Sequence, residues 1–345
     1  MSSDLLTFSE AKEYLSEKDR TVHLLLGNGF SMAYNHIIFS YNALHQFIEQ
    51  QKDPLITTLF NIVNTKNFEL VMQQLDNLCE LINAFDANNS LLDKVVTARD
   101  RLKESLIDAV ESLHPEHVFK LEDEQIEKCS EFLSFFTDRK GSIFSTNYDL
   151  LLYWVLMRNN AKNAIDGFGR DKEDTGSSND EPEYSELRWG INKKHQNIYY
   201  VHGALPIFDQ GVHIVKEQYT GSKFLLENIR DRIERGHYPI FVASGNGNEK
   251  LNHILHNRYL TFCYEALTAI EGSLITFGFN FGEYDEHIID AINIAAKQGR
   301  RTSNKLFSIY IGVYSDSDRK HIERIKSKFK CKVNIFDAKT ANVWA

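Results

Sequence analysis

The stretch Leu24-Leu25-Leu26-Gly27-Asn28-Gly29-Phe30-Ser31 constrains the fold more than any other part of the chain. An uninterrupted apolar run reads as a strand buried on both faces, and Gly-Asn-Gly reads as a tight turn. Ser31 reads as the N-cap of a helix. Glycines let a backbone turn sharply and approach a neighbour or a ligand closely. Amides at the start of a helix favour a phosphate there. An ordinary turn carries the same signature, and the third glycine of the dinucleotide-binding fingerprint is missing. The rest of the chain has to supply further strands beside this one and helices to cover them.

With 345 residues the chain has room for one large domain or two ordinary ones. Hydrophobic content of 42% and charged content of 25% are the balance of a globular protein in water. A formal net charge of −9 gives no overall basic footprint for nucleic acid. No apolar run reaches the roughly 18 residues of a membrane span, and the polar, acidic N-terminal stretch does not read as a secretory signal. Cys79, Cys129, Cys263 and Cys331 lie far apart with no Cys-x-x-Cys pair, so neither a zinc module nor a disulfide framework is indicated. A reducing, cytoplasmic setting is the expectation.

Taken in order, residues 8–18 read as a helix, 22–26 as the first strand and 31–50 as helical. Val71, Leu75, Leu78, Ile82 and Phe85 alternate at spacings of four and three, and Leu102, Leu106, Val110 and Leu113 continue the pattern. These are amphipathic helices with core stripes. Phe68-Glu69 offers either a carboxylate for a site or a solvated helix cap. Ser142–Ser145 reads as a second buried strand, ending in Thr146-Asn147-Tyr148-Asp149 before a helix from Leu150 to Arg158. Polar residues at such a junction lie on the carboxyl edge of an open sheet, where these folds bind ligands. On this motif alone Asp149 reads as an N-cap ahead of a chemical group.

Asp166–Gly169 reads as a turn bordering a pocket, and 171–186 as an acidic surface loop. Asn197–Val201 reads as a third strand ending at His202-Gly203, where a histidine beside a glycine is a candidate general base. Tyr238–Ala243 reads as a fourth strand closed by Ser244–Asn248, with a helix from Lys250 through Leu267. Ser273–Phe277 reads as a fifth, ending in Gly278-Phe279-Asn280-Phe281-Gly282 before a helix that starts at Asp285-Glu286-His287. Leu306–Val313 and Lys332–Phe336 are the last strands, with a helix at 316–329 between them. Alternating strands and helices predict an α/β fold, a Rossmann-like doubly wound parallel sheet, with a helical insertion.

Gly27–Ser31, Thr146–Asp149, Val201-His202-Gly203 and Gly278–Phe281 with Asp285-x-His287, in that order, resemble the sirtuin-like NAD-binding domain. The set is most similar to the bacterial sirtuin-like proteins of antiphage defence, over roughly residues 20–315. The resemblance implies NAD as substrate. Gly27, Asn28, Gly29, Phe30 and Ser31 would hold its pyrophosphate and neighbouring ribose, beside Thr146 and Gly203. Asn147 would orient the nicotinamide ribose and an attacking water, and Asp149 would lie near the carboxamide. His202 would be the base, and Gly278, Asn280 and Phe281 would line the adenosine end.

Deacylase sirtuins differ. They carry a proline- and arginine-bearing loop where Met32-Ala33-Tyr34-Asn35 stand here, and a zinc module with paired cysteines. The expectation is therefore an NAD glycohydrolase, with no metal, that releases nicotinamide and ADP-ribose and depletes cellular NAD in abortive infection. A non-catalytic NAD- or ADP-ribose-binding module is the alternative, and a protein deacylase a more distant one. Residues 1–33 and 141–345 would form the NAD-binding domain and 34–140 a helical insert packed on it. An unregulated NADase would poison its host. A homo-oligomer, or a partner ATPase or other sensor protein, is therefore expected, without direct nucleic-acid or membrane binding.

Overall fold

The computed structural model describes residues 5–35, 54–63, 68–85, 89–113, 120–159, 161–170, 186–219, 223–242, 246–297 and 305–345. In chain order, α1 (Phe8–Glu17) leads to β1 (Val22–Leu26) and α2 (Asn28–Tyr34). Next come α3 (Pro54–Val63), α4 (Phe68–Ala84), α5 (Asn89–Leu113) and α6 (Asp123–Thr137). Then follow β2 (Ile143–Ser145), α7 (Leu151–Arg158), β3 (Phe168–Gly169), β4 (Leu187–Trp189), β5 (Ile198–Tyr200), β6 (Gly203–Asp209) and β7 (Ile214–Lys216). The chain continues through α8 (Leu225–Glu234), β8 (Pro239–Phe241), α9 (Gly247–His256), α10 (Arg258–Thr268) and β9 (Gly272–Phe277). It closes with α11 (Glu286–Lys297), β10 (Leu306–Val313), α12 (Asp316–Ile325) and β11 (Lys332–Asp337).

Among the described residues these strands form two sheets. The larger is six-stranded and parallel, in the order β11-β10-β9-β1-β2-β5. Counted along the chain its strands lie 3-2-1-4-5-6, an order consistent with a Rossmann-like α/β fold. From β1 the chain fills one side of the sheet with β2 and β5, then crosses to the other side for β9, β10 and β11. The switch point, where such sheets open a crevice at the carboxyl ends, lies between β1 and β9. Leu26 pairs with Ser145 and Phe277, and Ser145 with Tyr200. The residues after β1, β2, β5 and β9 therefore leave the sheet along one edge.

Every residue of β1 and of β9 is buried, as expected for strands covered on both faces. At the β11 edge Leu6 makes a single parallel bridge to Phe336, which partly covers an otherwise open strand.

The second sheet, β3-β4-β7-β6-β8, is antiparallel throughout. It corrects the expectation of a single sheet. The Tyr238–Ala243 strand is present as β8 but pairs with β6 and not with the parallel strands. Phe168-Gly169 is a strand rather than a free turn. The helix expected over Lys250–Leu267 is two helices: Asn257 breaks it, its side chain accepting from the amides of Tyr259 and Leu260 to cap α10.

In α4 the buried face is Val71, Met72, Leu75, Cys79 and Ile82, whereas Leu78 and Phe85 are exposed. The stripe expected along 71–85 therefore faces the core only in part. The sides of Leu106, Val110 and Leu113, the Phe68-Glu69 side chains, residues 36–50, the loop at 171–185 and Ser244-Gly245 lie outside the described residues. The four cysteines are free thiols.

Candidate functional site

The Gly-Asn-Gly turn owes its glycines first to the neighbouring turn. A Cβ on Gly27 would meet the Gly278 carbonyl oxygen at 2.6 Å, and one on Gly29 the Gly278 Cα at 2.6 Å. Gly278 sits at φ +69°, and a Cβ there would meet the Phe30 nitrogen at 2.4 Å. The Gly27 amide donates to the Phe277 carbonyl at 3.0 Å and the Gly29 amide to the Gly278 carbonyl at 2.8 Å. The two loops that flank the switch point are thus packed backbone on backbone.

The helix α2 begins one turn earlier than expected, with Gly27 at the N-cap position. Ser31 is no cap. It is fully buried within the helix, and its hydroxyl donates to Asp149 Oδ2 at 2.5 Å. Asp149 also accepts from the Leu151 amide at 2.9 Å, so it starts α7 and anchors Ser31 together. Burial pushes the Asp149 carboxyl above the usual carboxylate range, against the bonds from Ser31 and Leu151 that favour its charged form.

Asn147 joins the same network. Its Nδ2 group donates to the Gly27 carbonyl and to Ser31 Oγ, each at 3.0 Å. Both amide hydrogens are used on the first turn, and no described residue hydrogen-bonds to the Asn147 carbonyl oxygen Oδ1. The result is a directed chain from Asn147 through Ser31 to Asp149 that ties the end of β2 to the end of β1. Thr146 adds a hydroxyl bond to the Leu26 carbonyl at 3.1 Å.

His202, just past β5, is buried and stands 2.8 Å from His287 at the start of α11, measured between their Nε2 atoms, with the rings stacked at 5.0 Å. Burial, then the His287 ring and Lys250, hold His202 well below the ordinary histidine range. Burial and Lys250 push His287 down to about 3. Lys250 is itself buried and bonds Asp285 Oδ1 at 2.9 Å, while Asp285 Oδ2 accepts from the Gly282 amide at 3.1 Å. His287 and Lys250 were assigned no role from sequence. Asp285-x-His287 at a strand-to-helix junction was the available signal for the first, and nothing marked the second.

The fold thus gathers Gly27, Gly29, Ser31, Asn147 and Asp149 at the ends of β1 and β2, while His202 pairs with His287. Gly278 packs on the first turn, and Asn28 lies half-buried within that turn. The Phe30 and Phe281 side chains are core residues, packed on Trp344 and on Phe279 and Phe329 respectively. Asn280 is exposed. Gly203, at φ +75°, is required by β8, because a Cβ there would meet the Ile240 carbonyl oxygen at 2.0 Å. A cleft of about 280 Å³ elsewhere is lined by Glu186, Glu217 and Arg232 among others, and none of the expected site residues borders it. Arg232 is held there by ion pairs to both glutamates. No cluster of three His, Cys, Asp or Glu side chains able to hold a metal is found among the described residues.

The fold and site define an α/β protein with a polar, largely buried network along the carboxyl edge of a parallel sheet. The chain belongs to the family described as a domain of unknown function, DUF4917, whose model matches residues 24–344. No curated protein matches it.

Proposed function

We propose that the chain is a sirtuin-like NAD glycohydrolase, which breaks the nicotinamide–ribose bond to give nicotinamide and ADP-ribose. The observation that carries the reading is Asn147. It is buried beside the switch point, with both amide hydrogens committed to Gly27 and Ser31 and its carbonyl oxygen open. Such a group is fixed in orientation and accepts from a ribose hydroxyl or a water. Cleavage creates an oxocarbenium-like centre, and catalysis needs an oriented ribose, a held water and a proton acceptor. The neighbouring histidines, kept neutral by burial, suit the last of these.

On this reading residues 1–33 and 141–345 form a doubly wound NAD-binding domain and 34–140 are a helical insert. The exposed Leu78, Leu81 and Phe85 on and just after α4 suit an oligomer or a partner, such as the ATPase or sensor of a defence system. The protein then acts in the cytoplasm, depleting NAD during infection. Among the described residues no helix is long and apolar enough to cross a membrane.

A second reading, an NAD- or ADP-ribose-binding module without turnover, is favoured by one observation: His202 Nε2 is already engaged by the His287 ring at 2.8 Å. The test is NAD consumption by the purified chain, with products resolved by chromatography, beside Asn147→Ala and His202→Ala. Turnover that falls at least about 10²-fold in both variants is expected. Wild-type rates in both refute the site. Tight NAD binding with no turnover, alone and with the partner, establishes the module.

A further inference from the structure

The cleft of about 280 Å³ lies between α8 and the ends of β4, β6 and β7. Antiparallel pairing of Leu187 with Lys216 brings Glu186 and Glu217 side by side. Like charges so placed repel, and Arg232 of α8 offsets them. Its Nε donates to Glu217 Oε1 and its Nη2 to Glu186 Oε1, the latter at 2.9 Å. The Arg232 and Glu217 side chains are 15% and 14% exposed and form the floor. One guanidinium against two carboxylates leaves that floor one negative charge in excess. Burial works to raise the Glu186 carboxyl, but the bonds and charge of Arg232 outweigh it and hold the group below its ordinary range. Each glutamate spends only Oε1, so both Oε2 atoms are open among the described residues. Gln210 spends its amide nitrogen on Glu186 at 3.4 Å and Asn228 spends its own on the Gln218 carbonyl at 2.9 Å, which leaves both amide oxygens to accept. None of these oxygens is buried without a partner, so all of them reach solvent. Asp231, the remaining acid, is paired with Lys223. The mouth has the opposite character. Helix α8 ends at Arg235, and Gly236, at φ +84°, turns the chain so that the His237 amide returns to the Arg232 carbonyl at 3.0 Å. The turn sets the Arg235 guanidinium and the His237 ring on the cleft, both exposed and neither held by another side chain among the described residues.

We propose that this cleft binds a small polar α-amino acid, with its ammonium on the open oxygens of the floor and its carboxylate on Arg235 and His237 at the mouth. The proposal is independent of the NAD-hydrolysis reading. An ammonium carries three donors and no acceptor, which matches a floor of open oxygens with negative charge in excess. A carboxylate takes two parallel bonds from a guanidinium, and Arg235 has its donors to give. A lone anion would meet the Glu186 and Glu217 carboxylates, and a lone cation would leave Arg235 facing it. A zwitterion satisfies both ends. The volume falls just below the roughly 300–1,000 Å³ of pockets for drug-sized ligands, and the lining is polar throughout, so the occupant is small and polar.

The experiment is isothermal titration of the full chain at neutral pH. Glycine and serine are titrated, each beside an analogue without the carboxylate (methylamine, ethanolamine) and one without the ammonium (acetate, glycerate). At least one of the two amino acids is expected to bind with a Kd of about 1 mM or tighter. Losing either charged end is expected to weaken binding at least about tenfold, the scale of a hydrogen bond between charged groups. Arg235→Ala is expected to abolish the advantage of the amino acid over its amine. Glu217→Gln, whose carbonyl still accepts from Arg232, is expected to abolish its advantage over the carboxylate analogue. The proposal is overturned if neither amino acid binds, if an amine or a carboxylate alone binds as tightly as its parent, or if Arg235→Ala keeps wild-type affinity. Arg235 is exposed and its side chain holds no other group, so that variant decides the matter even where Glu217→Gln unsettles the floor.

Discussion

Ser31→Ala tests the network at the heart of the site. The hydroxyl sits between a buried amide and a buried carboxylate, accepting from Asn147 at 3.0 Å and donating to Asp149 at 2.5 Å. A hydrogen bond to a charged group contributes about 1.5–3 kcal/mol, and a buried donor left unpaired, here one hydrogen of Asn147, costs about 1–3 kcal/mol. The substitution also leaves the Asp149 carboxylate supported against burial by backbone amides alone, chiefly that of Leu151. The expected loss is about 3–5 kcal/mol, read as the unfolding free energy in urea.

The pH dependence has a definite sign. The folded Asp149 carboxyl is already raised above its unfolded value by burial, so its titration opposes stability as pH rises through the folded value. Removing Ser31 raises it further. The Ser31→Ala deficit should therefore be smaller in acid and larger near neutrality. Pairing Ser31→Ala with Asp149→Asn closes a double-mutant cycle, with coupling above about 1.5 kcal/mol expected for a contact of this kind. Coupling within about 0.5 kcal/mol of zero would falsify the network.

Acid should destabilise the fold well before its carboxylates titrate. His23, His202 and His287 are buried, with His23 pushed down to about 4, His287 to about 3 and His202 well below its ordinary range. Their stabilisation is complete above the unfolded value of about 6.5 and is lost as pH falls toward the folded values, so moving from pH 7.5 to 5.5 should cost about 1.4 kcal/mol per histidine, about 4 in all; urea titrations at the two values check it, and a flat response refutes the buried neutral rings. At the Lys250–Asp285 pair, Lys250→Met should cost about 3–5 kcal/mol by leaving a buried carboxylate unpaired, and Lys250→Met with Asp285→Asn should recover most of it. Thermal melts of the three proteins compare them, and a double variant no better than the single would show that charge pairing is not what Lys250 supplies.

Much of the sheet is legible in the sequence because its strands are buried on both faces. Leu24–Leu26 is a continuous apolar run and Leu274–Phe277 is interrupted only by Thr276; each is followed by glycine, and the two lie next to each other in the sheet. Tyr238–Ala243 has the same look, yet Pro239–Phe241 joins the other sheet. Partner choice is not written in a strand's own composition, and β3, β4 and β7 are only two or three residues long, below what alternation reveals.

The site divides in the same way. Asn147, Asp149 and His202 stand at strand ends, where position announces them. Ser31 has the residue type of a cap, but it lies too far into the helix to be one, and only the Asp149 carboxylate, 118 positions away, explains its burial. His287 is 85 residues from His202, and Lys250 is 35 from Asp285. Such meetings are made by tertiary packing and leave no local spacing to read.

Trp344 gives the first turn a late dependency. Its indole N–H donates to the Phe30 carbonyl at 2.8 Å, and its ring lies 5.0 Å from that of Phe30 and 5.3 Å from that of Tyr34, in a contact spanning 314 residues of chain. At a synthesis rate of about 5–20 residues per second, the ribosome needs about 15 s to a minute between making one partner and making the other. A nascent chain therefore carries Phe30 without its Trp344 brace until residue 344 is made. If the proposed NAD hydrolysis holds, the first turn of the site is thereby kept unfinished until that residue has been made.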